Sequence, residues 1–133
     1  MKALPEIILP NDRKYTSEHV WAKANGDVLV VGISDYAQDQ LGEIVYVDLP
    51  AVGDYFVAKD EFGTVESIKS VNTLHMPVSG AVTAVNHDLD ANPALINVDC
   101  YERAWLIRIK PDSVSDLDFL LSAEGYRAFL RAH

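Results

Sequence analysis

Apolar and polar residues alternate along much of this chain in short runs, and Gly, Pro and Asn separate the runs. Between Tyr15 and Val31, Val20, Ala22 and Ala24 interleave with His19, Trp21 and Lys23, and Asn25-Gly26 then precedes the apolar run Val28 to Val31. A period of two on both sides of an Asn-Gly pair predicts two strands joined by a tight turn, because strand side chains point alternately to opposite faces and Gly accepts hairpin-turn backbone. Ser34 is placed to cap a short helix over 35–41, with Tyr36, Ala37 and Leu41 on one side and Gly42 to end it. Glu43 to Leu49 alternates again. This predicts a strand with Ile44, Tyr46 and Asp48 on one face and Val45, Val47 and Leu49 on the other, before Pro50 and Gly53 break the chain.

From Tyr55 to Val85 the pattern is strand, turn, strand, with breaks at Gly63, Pro77 and Gly80. Closely spaced short strands of this kind predict a mainly β fold, a sandwich or a barrel. The period then changes: Leu117, Leu120 and Leu121, followed by Tyr126, Phe129 and Leu130, fall at helical spacing behind the candidate caps Ser115 and Ser122. Short C-terminal helices are expected within 115–132. Residues 1–13 follow neither period and are expected to be irregular, within one domain spanning 1–133, since a chain of this length supports a single core.

Composition narrows the partners. A net charge of −9 repels phosphate backbones and anionic lipid, which argues against nucleic acid and membrane surfaces and favours basic patches on other proteins. No apolar run approaches the roughly 20 residues that span a bilayer, and the N-terminus is too acidic and too Pro-broken for a signal peptide. A cytoplasmic, monomeric protein is the expectation. Cys100, the single cysteine, excludes an internal disulfide and is either a buried space-filler or a reactive thiol. His19, His75, His87 and His133 are scattered without metal-ligand spacing, and there is no phosphate loop or serine elbow, so neither a metal site nor catalytic residues are expected. Met76, Trp21, Tyr46, Tyr101 and Trp105 read as packing residues.

The candidate chemistry lies in the stretch from Phe62 to Gly80, where β-prone residues flank Lys69 on both sides. A hairpin with its turn near Lys69 would hold that amine in water on two backbone legs, which is what the attachment point of a swinging arm requires.

Glu66-Ser67-Ile68-Lys69, with Gly63 before it and Pro77-Val78-Ser79-Gly80 after it, resembles the lipoylation motif of the glycine cleavage system H protein family. The resemblance extends through Tyr15-Thr16-Ser17-Glu18-His19-Val20-Trp21, Gly32 to Gln38, Leu41 to Val45, Val47 to Pro50, Pro93 to Asn97, and Trp105 to Pro111, in order and without a sizeable insertion. It implies a hybrid barrel-sandwich of two small antiparallel sheets with C-terminal helices. It also implies lipoate joined covalently to Lys69, with Glu66, Ser67, Ile68 and Ser70 as recognition context and His19 and His75 as candidate contacts of the arm. The implied partners are a lipoate ligase or a lipoyl synthase and transferase, then glycine decarboxylase, aminomethyltransferase and dihydrolipoyl dehydrogenase around an aminomethyl cargo. The related biotin carriers usually flank their lysine with methionines, whereas Ile68 and Ser70 stand here.

Four positions leave the family pattern: one is Ala104, where the family usually has Gly before the Trp, and the other three bear on the cargo. Val20 stands where the family normally has Glu, Thr73 where it has Asp, and Cys100 where it has Pro. Losing both acids removes groups that would neutralise a cationic cargo. That motivates an alternative: an H-like lipoate-binding protein carrying sulfur for a heterodisulfide-reductase-like sulfur oxidation complex.

Overall fold

A computed structural model describes residues 2–132. The strands are β1 (Lys14–Tyr15), β2 (Val20–Asn25), β3 (Val28–Ile33), β4 (Ile44–Asp48), β5 (Tyr55–Phe56), β6 (Glu61–Ser67), β7 (Val71–His75), β8 (Gly80–Val85) and β9 (Ile107–Pro111). Helix α1 (Asp35–Leu41) joins β3 to β4, α2 (Asp88–Ala91) and α3 (Leu95–Asp99) join β8 to β9, and α4 (Ala123–Ala132) ends the described chain. The strands form a six-stranded sheet in the order β1-β2-β3-β9-β8-β5 and a three-stranded sheet in the order β4-β6-β7, with every pairing antiparallel. This is the mainly β, two-sheet architecture with short helices that the strand spacing and the family resemblance imply.

The first hairpin forms one residue later than the sequence suggests. Asn25 pairs with Val28 as the last rung, so Gly26 and Asp27 are the central turn residues, and Gly26 takes the positive φ of 67° that a turn with Gly first requires. Both faces of β2 are covered. Val20 and Ala22 enter the main apolar core between the sheets, while Trp21 joins a second cluster with Tyr15, Ala123, Tyr126 and Leu130 beneath α4. The N-terminal residues are largely irregular, apart from a 3-10 turn over Leu4–Glu6, and are tied down by Arg127, which donates to the Leu4 and Ile7 carbonyls.

Helix α1 starts and stops where its caps dictate. The Ser34 hydroxyl accepts the Ala37 N–H, and Gly42 ends the helix at φ 77°. Its most buried residues are Asp35, Gln38 and Leu41, while Tyr36 and Ala37 are half-buried and pack against the two cores. Polar residues are tolerated there because each has partners. Asp35 receives hydrogen bonds from the Ile8 N–H, the Lys2 ammonium and Gln38 Nε2, all at 2.8 to 2.9 Å. The carboxyl is held below the usual carboxylate range: burial pushes it up, but the donors from Ile8, Lys2 and Gln38 outweigh that.

Strand β4 departs from simple alternation. Ile44 and Val47 are buried while Val45, Tyr46 and Asp48 are exposed, because a bulge between Ile44 and Tyr46 inserts an extra residue against β6. Tyr46 is therefore a surface residue at 56% exposure and not a packing one, whereas Met76 and Trp21 are packed at 1%. Gly63 lies within β6, at a second register shift, and does not bound the segment. A Cβ there would stand 2.2 Å from the Asp48 carbonyl, so the close approach of β4 and β6 requires glycine. Near the C-terminus, residues 114–119 form a 3-10 turn that includes Ser115, so Ser115 does not cap it. Ser122 does cap α4, accepting the Gly125 N–H at 3.0 Å.

Candidate functional site

Lys69 lies at the tip of the β6–β7 hairpin. Glu66 pairs with Val71 as the last rung, and the Ser67 N–H donates to the Ser70 carbonyl at 2.8 Å, closing the turn over Ile68 and Lys69. Ser67, though buried, is the organiser: its Oγ accepts the N–H groups of Lys69 (3.1 Å) and Ser70 (3.2 Å). A serine that binds backbone two and three residues ahead is a standard device for fixing a turn. The Ile68 N–H donates to the Glu43 carbonyl, tying the tip to β4, while the Ile68 side chain stands 73% exposed.

The Lys69 side chain is exposed, and among the described residues it forms no ion pair. Its Nζ donates at 3.3 Å to the carbonyl of Gln40, near the end of α1, and its Cε lies against Gly42. Asn97 fixes that corner, donating to the Gly42 carbonyl and to Gln38 Oε1 while accepting the Ile44 N–H. Neither Asn97 nor helices α2 and α3 are visible in the hydrophobic period, because those helices are one turn long.

A cavity of about 380 Å³ opens beside this lysine. Gln40, Ala37, Tyr36 and Leu41 of α1 form one wall, Ser70, Asn72, Thr73 and Leu74 another, and Glu18, His19, Ile33 and Val65 complete it. Its volume lies within the range typical of small-ligand sites. Of the two positions where acids were missed, Thr73 is on the wall, but Val20 is buried in the core. The cavity nevertheless keeps one carboxylate among its described lining residues, Glu18, which sequence reasoning passed over as part of a motif.

His19 lies on the wall with φ 71°, and its Nδ1 is 2.6 Å from the Tyr126 hydroxyl. Burial pushes its pKa down, favouring the neutral ring. His75 is not on that wall. It is half-buried, with its Nδ1 2.9 Å from the Glu18 carboxylate. Glu66 is half-buried on β6 between Tyr46 and Val71. His87 pairs with Asp90, and His133 lies outside the described residues. Among the described residues, no group of His, Cys, Asp and Glu is arranged to hold a metal, and no helix is long and apolar enough to cross a membrane. Cys100 is a space-filler: it packs in the core, and burial pushes its thiol up to about 12, far from the thiolate that exchange chemistry needs.

A free amine on a rigid hairpin, beside a small cavity on a two-sheet body, is the layout of a carrier whose working group is attached covalently. The sequence profile described as glycine cleavage H-protein matches residues 13–133. The glycine cleavage system H protein of Bacteroides fragilis is 50% identical over 92% of this chain and 98% of its own length, and that of Halalkalibacterium halodurans is 48% identical over 92% and 95%. The crystal structure of a glycine cleavage system H protein from Mycobacterium marinum superposes with a TM-score of 0.83 at 38% identity, covering 90% of this chain and 97% of that one. The chain belongs to the glycine cleavage H-protein family, with the lipoyl-carrier barrel-sandwich fold, and its cofactor is lipoate held covalently on a lysine. These relatives decide for the glycine cleavage reading over the sulfur-carrying alternative, which they do not support. Val20 and Cys100, two of the three departures that motivated that alternative, are core residues.

Proposed function

We propose that Lys69 is the lysine that carries lipoate in this protein, and that the chain works as one carrier domain with no catalytic residue of its own. The observation that carries this reading is the exposed Nζ on a turn fixed by Ser67, held among the described residues by a single 3.3 Å hydrogen bond to the Gln40 carbonyl. An acylating enzyme has little to displace before it reaches that nitrogen. Glu66, Ile68 and Ser70 are the side chains it meets around the amine, and Ser67 acts by shaping the turn. The dithiolane of lipoate supplies the redox and group-carrying chemistry when bound.

This chain's own residues present the arm to the cytoplasmic enzymes of glycine cleavage: glycine decarboxylase, aminomethyltransferase and dihydrolipoyl dehydrogenase, after loading by a lipoate ligase or a lipoyl synthase and transferase. The cavity beside Lys69 is the place for a carried amine on the body. Glu18 is the carboxylate that offsets its charge, standing in for the acids absent at Val20 and Thr73.

Reconstitution tests the pathway. The lipoylated protein, mixed with glycine decarboxylase, is expected to support glycine-dependent exchange of carbon dioxide, and Lys69→Arg is expected to support none. Exchange by the Lys69→Arg protein, or its absence with fully lipoylated wild type, contradicts the proposal.

A further inference from the structure

The protein partner of His19 is part of a chain of hydroxyls that ends at a helix cap. His19 Nδ1 lies 2.6 Å from the Tyr126 hydroxyl, that hydroxyl lies 2.9 Å from Ser34 Oγ, and Ser34 Oγ accepts the Ala37 N–H at 3.2 Å. Ser34 and Tyr126 both have 0% exposure, so bulk solvent does not reach their hydroxyls. His19 Nε2 makes no hydrogen bond to any described residue, and the ring lines the cavity.

Two proton directions are available along this chain. In the first, Nδ1 carries the imidazole proton and donates to Tyr126, and Tyr126 donates to Ser34. The Ser34 proton then has no acceptor among the described atoms, in a side chain with no exposure, which is the arrangement buried polar groups avoid. In the second, Ser34 donates to Tyr126 and Tyr126 donates to a bare Nδ1, so both hydroxyl protons are accepted. The imidazole proton must then sit on Nε2. Burial, which keeps the ring neutral, leaves one proton to place and makes the choice a binary one.

We infer that the Ser34–Tyr126 chain fixes His19 as the Nε2–H tautomer and makes it a hydrogen-bond donor into the cavity, suited to a neutral acceptor, the amide oxygen formed when Lys69 is acylated. This rests on Lys69 being the lipoyl site. An ammonium has only protons to offer, so a donor at Nε2 is the wrong partner for it. The cavity thus divides its work: Glu18 takes positive charge, and His19 takes the carbonyl of the arm. Tyr126 touches neither and acts as a positioning residue through His19, while Ser34 bonds the far side of its hydroxyl.

The test is long-range proton–nitrogen NMR on the full chain with labelled histidine, in the unmodified and the lipoylated protein, with intact mass to establish acylation. In the unmodified wild type the Nε2–H form is expected to outweigh the Nδ1–H form by about tenfold or more, and in Tyr126→Phe that preference is expected to collapse. Ser34→Ala, which still leaves Tyr126 a proton to give, is expected to keep it and serves as the second variant if Tyr126→Phe does not fold. A dominant Nδ1–H form in the wild type overturns the inference, as does loss of the Nε2–H form in Ser34→Ala. Lipoylation at Lys69 is expected to shift the Nε2 resonance. An unmoved resonance in protein whose mass shows full acylation overturns the assignment of the acceptor while leaving Lys69 as the carrier residue. A mass showing no acylation overturns Lys69 itself, and with it the acceptor, while the tautomer is still read in the unmodified chain.

Discussion

The two long hairpins, β2–β3 and β6–β7, use the same antiparallel pairing for opposite ends. The first closes tightly over Gly26-Asp27, with exposed residues only from Ala24 to Asp27, and is buried on both faces at its base, with Val20 and Ala22 in the main core and Trp21 beneath α4. The second buries Phe62, Val65 and Leu74 at its base, then leaves Ile68, Lys69, Ser70 and Val71 in solvent at its tip. Burial on two faces at its base makes the first hairpin a source of stability, and the exposed tip of the second is where we place the lipoyl arm. The rigid base of the second lets its tip be exposed without being loose, because Ser67 and the Glu43 carbonyl fix the backbone that the side chains leave unpacked.

The sharpest way to break this contrast is to exchange side chains at the two places. Lys69→Arg is expected to abolish lipoylation completely, scored by intact mass, and to leave the melting temperature unchanged. Trp21→Ala is expected to do the reverse, costing about 3–5 kcal/mol in a denaturant titration as its cavity opens, with Lys69 still acylated in the folded fraction. The buried carboxylate of α1 comes next. Asp35→Asn is expected to lose about 1.5–3 kcal/mol at neutral pH, since hydrogen bonds to a charged group are lost. Because the folded-state pKa of Asp35 lies below its unfolded value, its stabilisation is present above the unfolded value and fades as pH falls through the folded one. Stability curves of wild type and Asp35→Asn should therefore begin to approach one another as pH falls below the ordinary carboxylate value of 3.8 and meet only below the lower folded-state value.

Gly63→Ala is expected to cost about 1–3 kcal/mol, because the methyl collides with the Asp48 carbonyl and pushes β4 from β6. Its effect on lipoylation measures how far the base controls the tip. The smallest effect belongs to Cys100: in native protein at pH 8 it should resist iodoacetamide, and it should react once denatured, as mass spectrometry will register.

Much of this was legible in the sequence because the determinants are local. The caps of α1 at Ser34 and Gly42, the strand periods, and the turn at Lys69 each follow from residues within a few positions of one another. What escaped depends on distant partners. The bulge at β4 is set by pairing with β6, and it inverts the expected faces of Tyr46 and Val47. Asp35 and Gln38 are buried on α1 because Lys2 and Ile8 arrive from the N-terminus. The partner of His19 is Tyr126, more than a hundred residues away, and no spacing rule links them. Val20 read as a missing cavity acid because a linear motif does not say how deep a strand residue lies: it packs in the core beside Ile33, which reaches the cavity wall.

Peptide mapping by tandem mass spectrometry, on wild-type protein incubated with lipoate ligase, ATP and lipoate, bears most directly on the central claim. One lipoyl increment per chain is predicted, on the fragment bearing Lys69. An increment on any other lysine, or an unmodified Lys69 in protein that has otherwise gained the mass, would contradict it.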